Sequence, residues 1–375
     1  MKLTDVVNRI NGNVDRFTTD LEYYIGGEHF DSNELEVTKK GILKENLGKL
    51  GFKFHFAFQD RDVIFMARNP HLRKAGMVRF SGLCSDASYI LRSKDESVIT
   101  QDYLAILLQS DHFWNYCESH KVGSVNFANN WTSIANYEFE LPSIKYQKEI
   151  SKKVWAAYRL KKSYKKLLSA TEEMVKSQFI EMIGSKDWPQ VKLKDIVHED
   201  CPISYGIVQP GDDLEDGVPI VRPIDMNDTH LIDIKTLKHT SKQISDSYNR
   251  TILRGDEILV CVRGTTGLIA LADGLKGCNV TRGITPLYFK PEYSREYLYR
   301  AFLGKQVQEY IQANTIGTTL KGINMGKLRE LPICIPTNDI KERFVSIAEQ
   351  ADKSGFELRK SIDAIDAVIK SLINN

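Results

Sequence analysis

Long apolar runs and paired cysteines are missing from this sequence of 375 residues. No apolar run approaches the ~18 residues that a membrane span needs, and residues 1–5 do not lead into a signal-peptide core. We therefore expect no membrane segment and a cytoplasmic location. The six cysteines are scattered without a C-x-x-C pair, which favours free thiols in a reducing compartment over disulfides or a zinc cluster.

Signatures of catalysis are also missing. No two glycines are separated by a single residue, which excludes a G-x-G cofactor turn, and no Pro-Pro occurs, which excludes the N/D-P-P-Y/F motif of amino-methyltransferases. Asp256 precedes an apolar run without the lysine of a nuclease motif, so we interpret it as a turn residue that starts a strand. His29 is interpreted as a contact or structural histidine. We expect no catalytic residue, no metal site and no cofactor in this chain.

Composition is that of a globular protein, with 42% hydrophobic and 27% charged residues. A chain of this length can bury sizeable cores and is expected to form two domains with connecting elements. The net charge of +2 neither requires nor excludes nucleic acid, because the distribution of charge matters more than its sum.

The sequence contains an internal repeat of two copies. KLTDVV at residues 2–7 returns as KLKDIV at residues 192–197, and later anchors lie 194 positions apart, from Asp62 with Asp256 to Pro142 with Pro336. Each copy alternates buried-strand and helical patterns, reaches a Leu/Ile-Pro step and ends in a long helical pattern. The class is therefore expected to be α+β (mixed α/β) with an internal repeat. Segments that differ between the two copies suggest two similar surfaces that recognise two different targets.

Each copy ends in a predicted long helix with a heptad seam. Ser143 and Thr337 follow prolines and are candidate N-caps. Apolar residues then recur in steps of four and three, which is typical of a coiled coil. The seam is predicted at Ile150, Val154, Tyr164, Leu168 and Val175 in the first helix and at Phe344, Leu358, Ile362, Ile365 and Ile369 in the second.

Charge distinguishes the two helical stretches. Residues 144–184 hold ten basic and four acidic side chains, whereas residues 338–375 hold six basic and seven acidic ones. Pairing the helices would bury both seams and bring opposite charges together, in a rod of about 54 Å. The alternative is that each helix packs separately on its own domain. The basic run KKSYKK at residues 161–166 is either a solvated face or lies near DNA phosphates.

Polar, glycine-containing loops occur at corresponding places in both copies, and their side chains can donate to phosphates or base edges. Whether each residue would read a base or a phosphate stays open at this point. The expected DNA contacts are Arg68, Asn69, Arg73, Lys74, Ser124, Asn126 and Asn129 in the first copy, and Tyr205, Gln209, Arg222, Arg263, Thr265, Thr266, Arg282, Thr318, Thr319, Lys321 and Asn324 in the second.

The order of domain, long helix, domain, long helix resembles the DNA-specificity (S) subunit of type I restriction-modification systems. The motifs that carry the resemblance are YGI (205–207), GVPIVRP (217–223), GDEILV (255–260), VRG (262–264), GTT (317–319), LP (331–332) and IP (335–336). The first copy departs more from the pattern: it has MARNPH (66–71) where the second has VRGTTG (262–267).

This resemblance implies target-recognition domains at 1–142 and 185–336. It also implies spacer helices at 143–184 and 337–375, which form an antiparallel coiled coil with pseudo-two-fold symmetry. Each domain would read one half of a bipartite, asymmetric site on double-stranded DNA. Two adenine-N6 methyltransferase subunits and motor-nuclease subunits would be the partners, and they would bring S-adenosylmethionine, ATP and magnesium.

Two other hypotheses remain open. The chain could be the specificity subunit of a related two-component restriction enzyme, in which one partner chain both methylates and cleaves. It could instead be a coiled-coil scaffold or adaptor without sequence-specific DNA binding. A large affinity ratio between selected and random duplexes at fixed salt would separate specific recognition from a scaffold.

Overall fold

The computed structural model describes residues 1–125, 127–184, 186–226, 232–317 and 321–374. The chain forms two compact units. The first comprises residues 1–168 and 357–375, and the second comprises residues 169–356. Both long helices therefore contribute to both units. The domain boundaries expected from the sequence stay a prediction.

Helices and strands alternate along the described chain, as the α+β class expected from the sequence requires. The α-helices are α1 (Leu3–Val6), α2 (Leu43–Asn46), α3 (Gln101–Leu107), α4 (Asp111–Ser119), α5 (Trp131–Ala135), α6 (Ile144–Phe179), α7 (Leu193–Ile196), α8 (Lys242–Ser247), α9 (Arg295–Leu303), α10 (Lys305–Ala313), α11 (Met325–Arg329) and α12 (Asn338–Asn374). Short 3₁₀ turns are Gly27–His29, Pro70–Leu72, Pro223–Asp225, Ile234–Thr236 and Asn249–Thr251, and a π-helical turn is Ile180–Gly184.

The strands are short. In the first unit they are β1 (Val7–Ile10), β2 (Tyr23–Ile25), β3 (Glu36–Val37), β4 (Gly41–Ile42), β5 (Phe54–Phe58), β6 (Val63–Met66), β7 (Ala75–Val78), β8 (Gly82–Ser85) and β9 (Ser88–Ser93). In the second they are β10 (Gln190–Lys192), β11 (Val218–Val221), β12 (Lys238–Thr240), β13 (Ile258–Cys261), β14 (Ile269–Leu271), β15 (Asn279–Val280), β16 (Ile284–Leu287), β17 (Thr315–Ile316), β18 (Gly322–Ile323) and β19 (Pro332–Cys334).

In the first unit, β6 lies at the centre of a sheet with the order β1-β9-β6-β7-β3, and a second sheet has the order β4-β2-β8-β5. Because side chains alternate along a strand, β6 contributes side chains to two different hydrophobic cores. Val63 and Phe65 belong to the core that the helices cover, whereas Ile64 and Met66 belong to the core shared by strands of both sheets. A continuous apolar run is therefore required at this strand.

The second unit repeats this plan around β13. Its three-stranded sheets have the orders β14-β13-β16 and β12-β11-β15, and two further strand pairs are β10-β19 and β17-β18. Ile258 and Val260 join the helix-covered core, and Leu259 and Cys261 join the core that strands of both sheets share. The central strand of each unit is thus buried on both faces, with the same alternation.

A buried carboxylate precedes each central strand, and it corrects the alignment of the two copies. Asp62 accepts a hydrogen bond from the backbone N–H of Gln59 at 2.9 Å. In the second unit Glu257 accepts from the backbone N–H of Arg254, also three residues earlier, at 2.7 Å. Asp256, the expected partner of Asp62, is exposed. Glu257 is therefore the structural counterpart of Asp62.

The two long helices pack together within each unit. In the first unit, α6 and the end of α12 are antiparallel: Ile150 lines a cleft with Leu372 and Ile373, and further along α6 Lys161 pairs with Asp366. In the second unit, the Phe179 and Phe344 rings lie 5.3 Å apart in an edge-on contact. All the seam residues predicted from the sequence are buried or half-buried. The antiparallel pairing is confirmed, and each helix also packs on a domain core.

Part of the basic run at 161–166 is engaged in ion pairs with the first unit. Lys161 is buried and its Nζ lies 3.0 Å from Glu34 Oε1, which Lys165 Nζ approaches to 2.9 Å. Lys162 pairs with Glu36 at 2.5 Å. These three lysines attach α6 to the segment around β3. Lys161 is buried and therefore not part of a solvated face, whereas the Lys165 side chain is 51% exposed.

Acid should weaken this attachment. Burial, the largest single influence, raises the pKa of Glu34, but the pairs with Lys165 and Lys161 together outweigh it, so the pKa lies below its ordinary value of 4.5. The stability that the ionised carboxylate contributes should be complete above pH 4.5 and lost as the pH falls through the lowered pKa. Urea unfolding from pH 7 to pH 3 should show a shallower acid loss for Glu34→Gln than for wild type. Parallel curves would contradict this assignment.

No helix in the described ranges is both long and apolar enough to cross a membrane.

Candidate nucleic-acid interface

Backbone hydrogen bonds join two of the polar loops in the first unit. The segment after β6 meets the segment before α5 through Asn69 N–H, which donates to Phe127 O at 2.8 Å, and through Asn129 N–H, which donates to Ala67 O at 2.9 Å. This short ladder holds the loops side by side, although about 60 residues separate them in the sequence.

The same ladder recurs in the second unit. Gly264 N–H donates to Lys321 O at 2.9 Å, and Ile323 N–H donates to Val262 O at 3.0 Å. Val262 and Gly264 lie 195 positions after Ala67 and Asn69, and Lys321 and Ile323 lie 194 positions after Phe127 and Asn129. The repeat therefore extends to the loops where DNA contacts are expected.

An arginine occupies the same place in both ladders. Arg68 is paired across from Ala128, and Arg263 is paired across from Gly322. Arg68 is exposed and Arg263 is half-buried, and neither guanidinium has a carboxylate partner among the described residues. The Arg263 guanidinium lies 5.1 Å from the centre of the Tyr205 ring. The structure thus identifies Arg263 as the equivalent of Arg68. The sequence alignment of the two copies is one residue out of register at this position.

Further cations lie beside Arg263. Arg282 N–H donates to Ile207 O at 2.7 Å, which attaches the loop after Tyr205 to the segment before β16. Arg282 and Lys321 are both exposed, and neither has an ion pair in the part of the chain that the structure describes. Arg263 N–H also donates to Gly283 O at 3.3 Å, and Gly264 N–H donates to Lys321 O, so backbone hydrogen bonds bring the three cationic residues of three separate loops into one region. Such a cluster of unpaired cations is suited to a polyanion.

Sequence reasoning missed one cation of the first unit. Arg9, on β1, lies over the Tyr89 ring at 4.5 Å and near the Trp131 ring at 5.6 Å. The Tyr89 hydroxyl donates to Asn129 O at 2.9 Å, so Arg9 is close to the Arg68 ladder. No motif marks Arg9 in the sequence, because its neighbours come from β9 and α5.

Several expected contact residues are held within the protein instead. Asn129 is buried and its amide donates to Cys117 O at 2.7 Å, and Thr266 is also buried. Arg73 pairs with Asp111, Lys74 donates to Gly27 O at 2.7 Å, and Arg222 forms a two-pronged ion pair with Asp225. These side chains are engaged within the fold, apart from the buried Asn129 Oδ1, which has no hydrogen-bond partner among the described residues. Their contact with DNA stays a prediction.

The remaining expected contacts divide into two groups. The exposed ones are Arg68, Asn69, Ser124, Gln209, Thr265, Arg282, Lys321 and Asn324, and the half-buried ones are Tyr205 and Arg263. Asn324 also caps α11, since its Oδ1 accepts from Gly326 N–H at 2.7 Å. Asn126, Thr318 and Thr319 lie outside the described residues.

The thiols of the chain are not arranged for chemistry. Burial raises the pKa of Cys84 to about 12 and that of Cys201 and Cys261 to about 11, so these groups remain protonated near neutral pH. Among the described residues, no group of three or more His, Cys, Asp or Glu side chains is placed to hold a metal ion. The polar surface loops, with Arg68 in one unit and Arg263, Arg282 and Lys321 in the other, are the candidate functional site.

Comparison with known proteins gives one consistent family. The family model described as "Type I restriction modification DNA specificity domain" matches residues 185–365. The Type I restriction enzyme EcoBI specificity subunit of Escherichia coli is 26% identical over 190 residues, a match that covers 50% of this chain and 40% of that protein. The chain thus matches less than half the length of that relative.

Two solved structures share the fold over the whole chain. One comes from work on complex assembly and conformational transition of the type I R-M system, with a TM-score of 0.58 at 18% identity, covering 100% of this chain and 95% of that one. The other is the Type-I restriction-modification system S subunit from M. genitalium, with a TM-score of 0.57 at 11% identity, covering 100% and 94%. At such identities the likeness concerns the fold alone.

Proposed function

Because the chain belongs to the family of type I restriction-modification DNA specificity subunits, we propose that it selects the DNA sequence on which a restriction-modification complex acts. The chain itself performs no chemistry. Each recognition domain reads one half of a bipartite site on double-stranded DNA. The observation that carries the proposal is the recurrence of an unpaired arginine at the same ladder position in both units, within polar loops.

Recognition would combine phosphate contacts with contacts to base edges. Arg263, Arg282 and Lys321 form the cation cluster of the second unit, and cations of this kind fix a protein on the duplex by replacing counterions. Exposed polar side chains such as Gln209 and Thr265 can then donate to or accept from base edges. The corresponding set in the first unit is Arg68, Asn69 and Ser124, with Arg9 beside them.

The partners in this proposal supply the chemistry. Two adenine-N6 methyltransferase subunits would bring S-adenosylmethionine, and motor-nuclease subunits would bring ATP and magnesium. The chain would bind none of these cofactors and would direct the assembled complex to its site in the cytoplasm.

Methylation of the host genome tests the proposed function. Deleting the gene should remove one class of methylated adenines that share a bipartite sequence, and restoring it should bring that class back. A variant with Arg263, Arg282 and Lys321 all replaced by alanine should fail to restore it, because the removal of three cations that bind phosphates or bases should lower affinity by roughly a thousand-fold. Methylated adenines would be mapped by sequencing of native DNA.

The control is Lys276→Ala, which removes an exposed cation. Lys276 lies next to Gly255, before the start of β13, whereas Arg263 lies after the end of the same strand. Lys276→Ala should restore methylation fully. Both variants should accumulate and retain the same co-purified proteins as wild type. An unchanged methylation map after deletion would leave the scaffold hypothesis ahead, and a single partner chain that both methylates and cleaves would favour the two-component enzyme.

A further inference from the structure

The arginine of the first unit belongs to a strip of three paired residues. Arg68 lies opposite Ala128, and Ala128 lies opposite Val122 on its other side, both in antiparallel pairs. Residues directly opposite in such pairs present their side chains on the same face. Arg68, Ala128 and Val122 therefore form a row on one face, with the arginine and the valine at its two edges.

The second unit has the same strip. Arg263 lies opposite Gly322, and Gly322 lies opposite Ile316. The Cβ that Gly322 lacks would lie 3.2 Å from Arg263 Cγ, so the arginine stem shares the face of the strip. The turns after the strips also agree, since Gly123 and Gly317 have φ angles of +108° and +109°.

The side chains of each strip follow one chemical order: a cation, a small residue and an exposed β-branched apolar residue. Val122 is 50% exposed and Ile316 is 71% exposed. An apolar side chain that is at least half exposed at the same place in both units contributes little to the cores. The small middle residue projects less than its two neighbours, and at Gly322 the arginine stem lies close against it. The deoxyribose-phosphate chain offers what the strip can bind, an anionic oxygen beside an apolar sugar face.

We propose that the two strips, Arg68–Ala128–Val122 and Arg263–Gly322–Ile316, are matching anchors for the sugar-phosphate backbone and do not read bases. In each half-site the arginine donates to a phosphate, and the β-branched residue packs on the adjoining sugar. This inference rests on the proposed function and assigns a common part of its two surfaces.

The division of labour follows from what the two units share. Residues that are alike in type and geometry in both units cannot make the two half-sites different. The difference must come from positions that have diverged, such as the residue after each arginine, which is Asn69 in one unit and Gly264 in the other. The strips fix the duplex in the same way in each half, and the diverged loops supply specificity.

DNA binding of single-residue variants tests the inference. Full-length Arg68→Ala, Arg263→Ala and the double variant would be purified as the complexes that each tagged chain forms in its own cells. Affinity would be measured by fluorescence anisotropy on the preferred duplex and on a scrambled one, over a range of salt concentrations. Arg263→Lys keeps the charge, and Lys276→Ala removes an exposed cation elsewhere in the second unit.

Each arginine replaced by alanine should weaken binding to both duplexes by roughly ten-fold, so the ratio of the two affinities should stay unchanged. The slope of log K against log salt should become shallower by about 0.9 for each phosphate that the protein no longer neutralises, and by about twice that in the double variant. Arg263→Lys should keep the slope, and Lys276→Ala should bind like wild type. Ile316→Ser should produce a smaller loss of affinity that is equal on both duplexes, and Ile316→Val should produce none.

Three outcomes would overturn the inference. A fall in the affinity ratio, with binding to the scrambled duplex unchanged, would make the arginines base readers. Wild-type affinity in both alanine variants would remove the strips from the interface. Weaker binding in Arg263→Ala without weaker binding in Arg68→Ala would end the equivalence of the two strips. A wild-type complex with no sequence preference would refute the proposed function instead, while a uniform loss of affinity on random DNA would still support backbone anchoring.

Discussion

Replacing Ile362 and Ile369 together with aspartate should lower the free energy of unfolding by at least about 5 kcal/mol. Both side chains are 8% exposed, and Ile369 belongs to the helix-covered core of the first unit. The change removes two apolar side chains from this packing and leaves two carboxylates in an environment that cannot solvate them. Urea unfolding of the full chain, followed by far-UV circular dichroism, measures the loss.

The matched control places the same charges on the same stretch of helix. Ala364 and Val368 are exposed, so Ala364→Asp with Val368→Asp should change the free energy of unfolding by less than about 1 kcal/mol. The control has the same net charge as the seam variant and similar helix propensity. Equal losses in the two double variants would mean that helix propensity or charge, and not the buried seam, determines stability.

Glu257→Ala should be the most damaging single change at the start of β13, with a loss of roughly 2–4 kcal/mol. The Glu257 carboxylate is 1% exposed and accepts hydrogen bonds from Arg254 N–H at 2.7 Å and Gly255 N–H at 3.0 Å. Alanine leaves both donors without this acceptor and opens a gap beneath the turn. Thermal and urea unfolding of the purified chain would measure the loss.

The adjacent acid provides the control. Asp256 is exposed and follows a glycine with a φ angle of +104°, so Asp256→Ala should change stability by less than about 0.5 kcal/mol. Glu257→Gln should fall between the two, because its amide oxygen still accepts one of the hydrogen bonds. A larger loss of stability from Asp256→Ala than from Glu257→Ala would instead make Asp256 the counterpart of Asp62, as the sequence alignment suggests.

The repeated plan of the chain was predictable from the sequence. Apolar periodicity identified the central strands and both long helices, and heptad spacing placed seam residues such as Val154 and Phe344 at positions that are buried in the structure. Such patterns are local, since burial of one helix or strand face dictates residue type every few positions. For this reason the sequence alone determined the α+β class, the two helices and the absence of catalytic motifs.

The composition of the candidate site was less predictable. All four of Arg68, Lys321, Asn129 and Arg222 were expected to contact DNA, but Arg68 and Lys321 are exposed, whereas Asn129 donates to Cys117 O and Arg222 pairs with Asp225. Residue type cannot tell a side chain that faces solvent from one that donates to a distant carbonyl. Arg9 was missed for the converse reason, because only contacts with Tyr89 and Trp131 bring it to the loops.

What only the tertiary structure decided is which distant residues meet. It also made Glu257 the counterpart of Asp62 and Arg263 the counterpart of Arg68 in the repeat, each one position away from the sequence alignment. It also showed that Lys161 is buried against Glu34, although its sequence neighbourhood is typical of a solvated basic face. Hydrogen bonds and ion pairs join partners that are remote in the chain and leave no periodic trace in it, whereas burial of a helix or strand face repeats along the chain and can be read there.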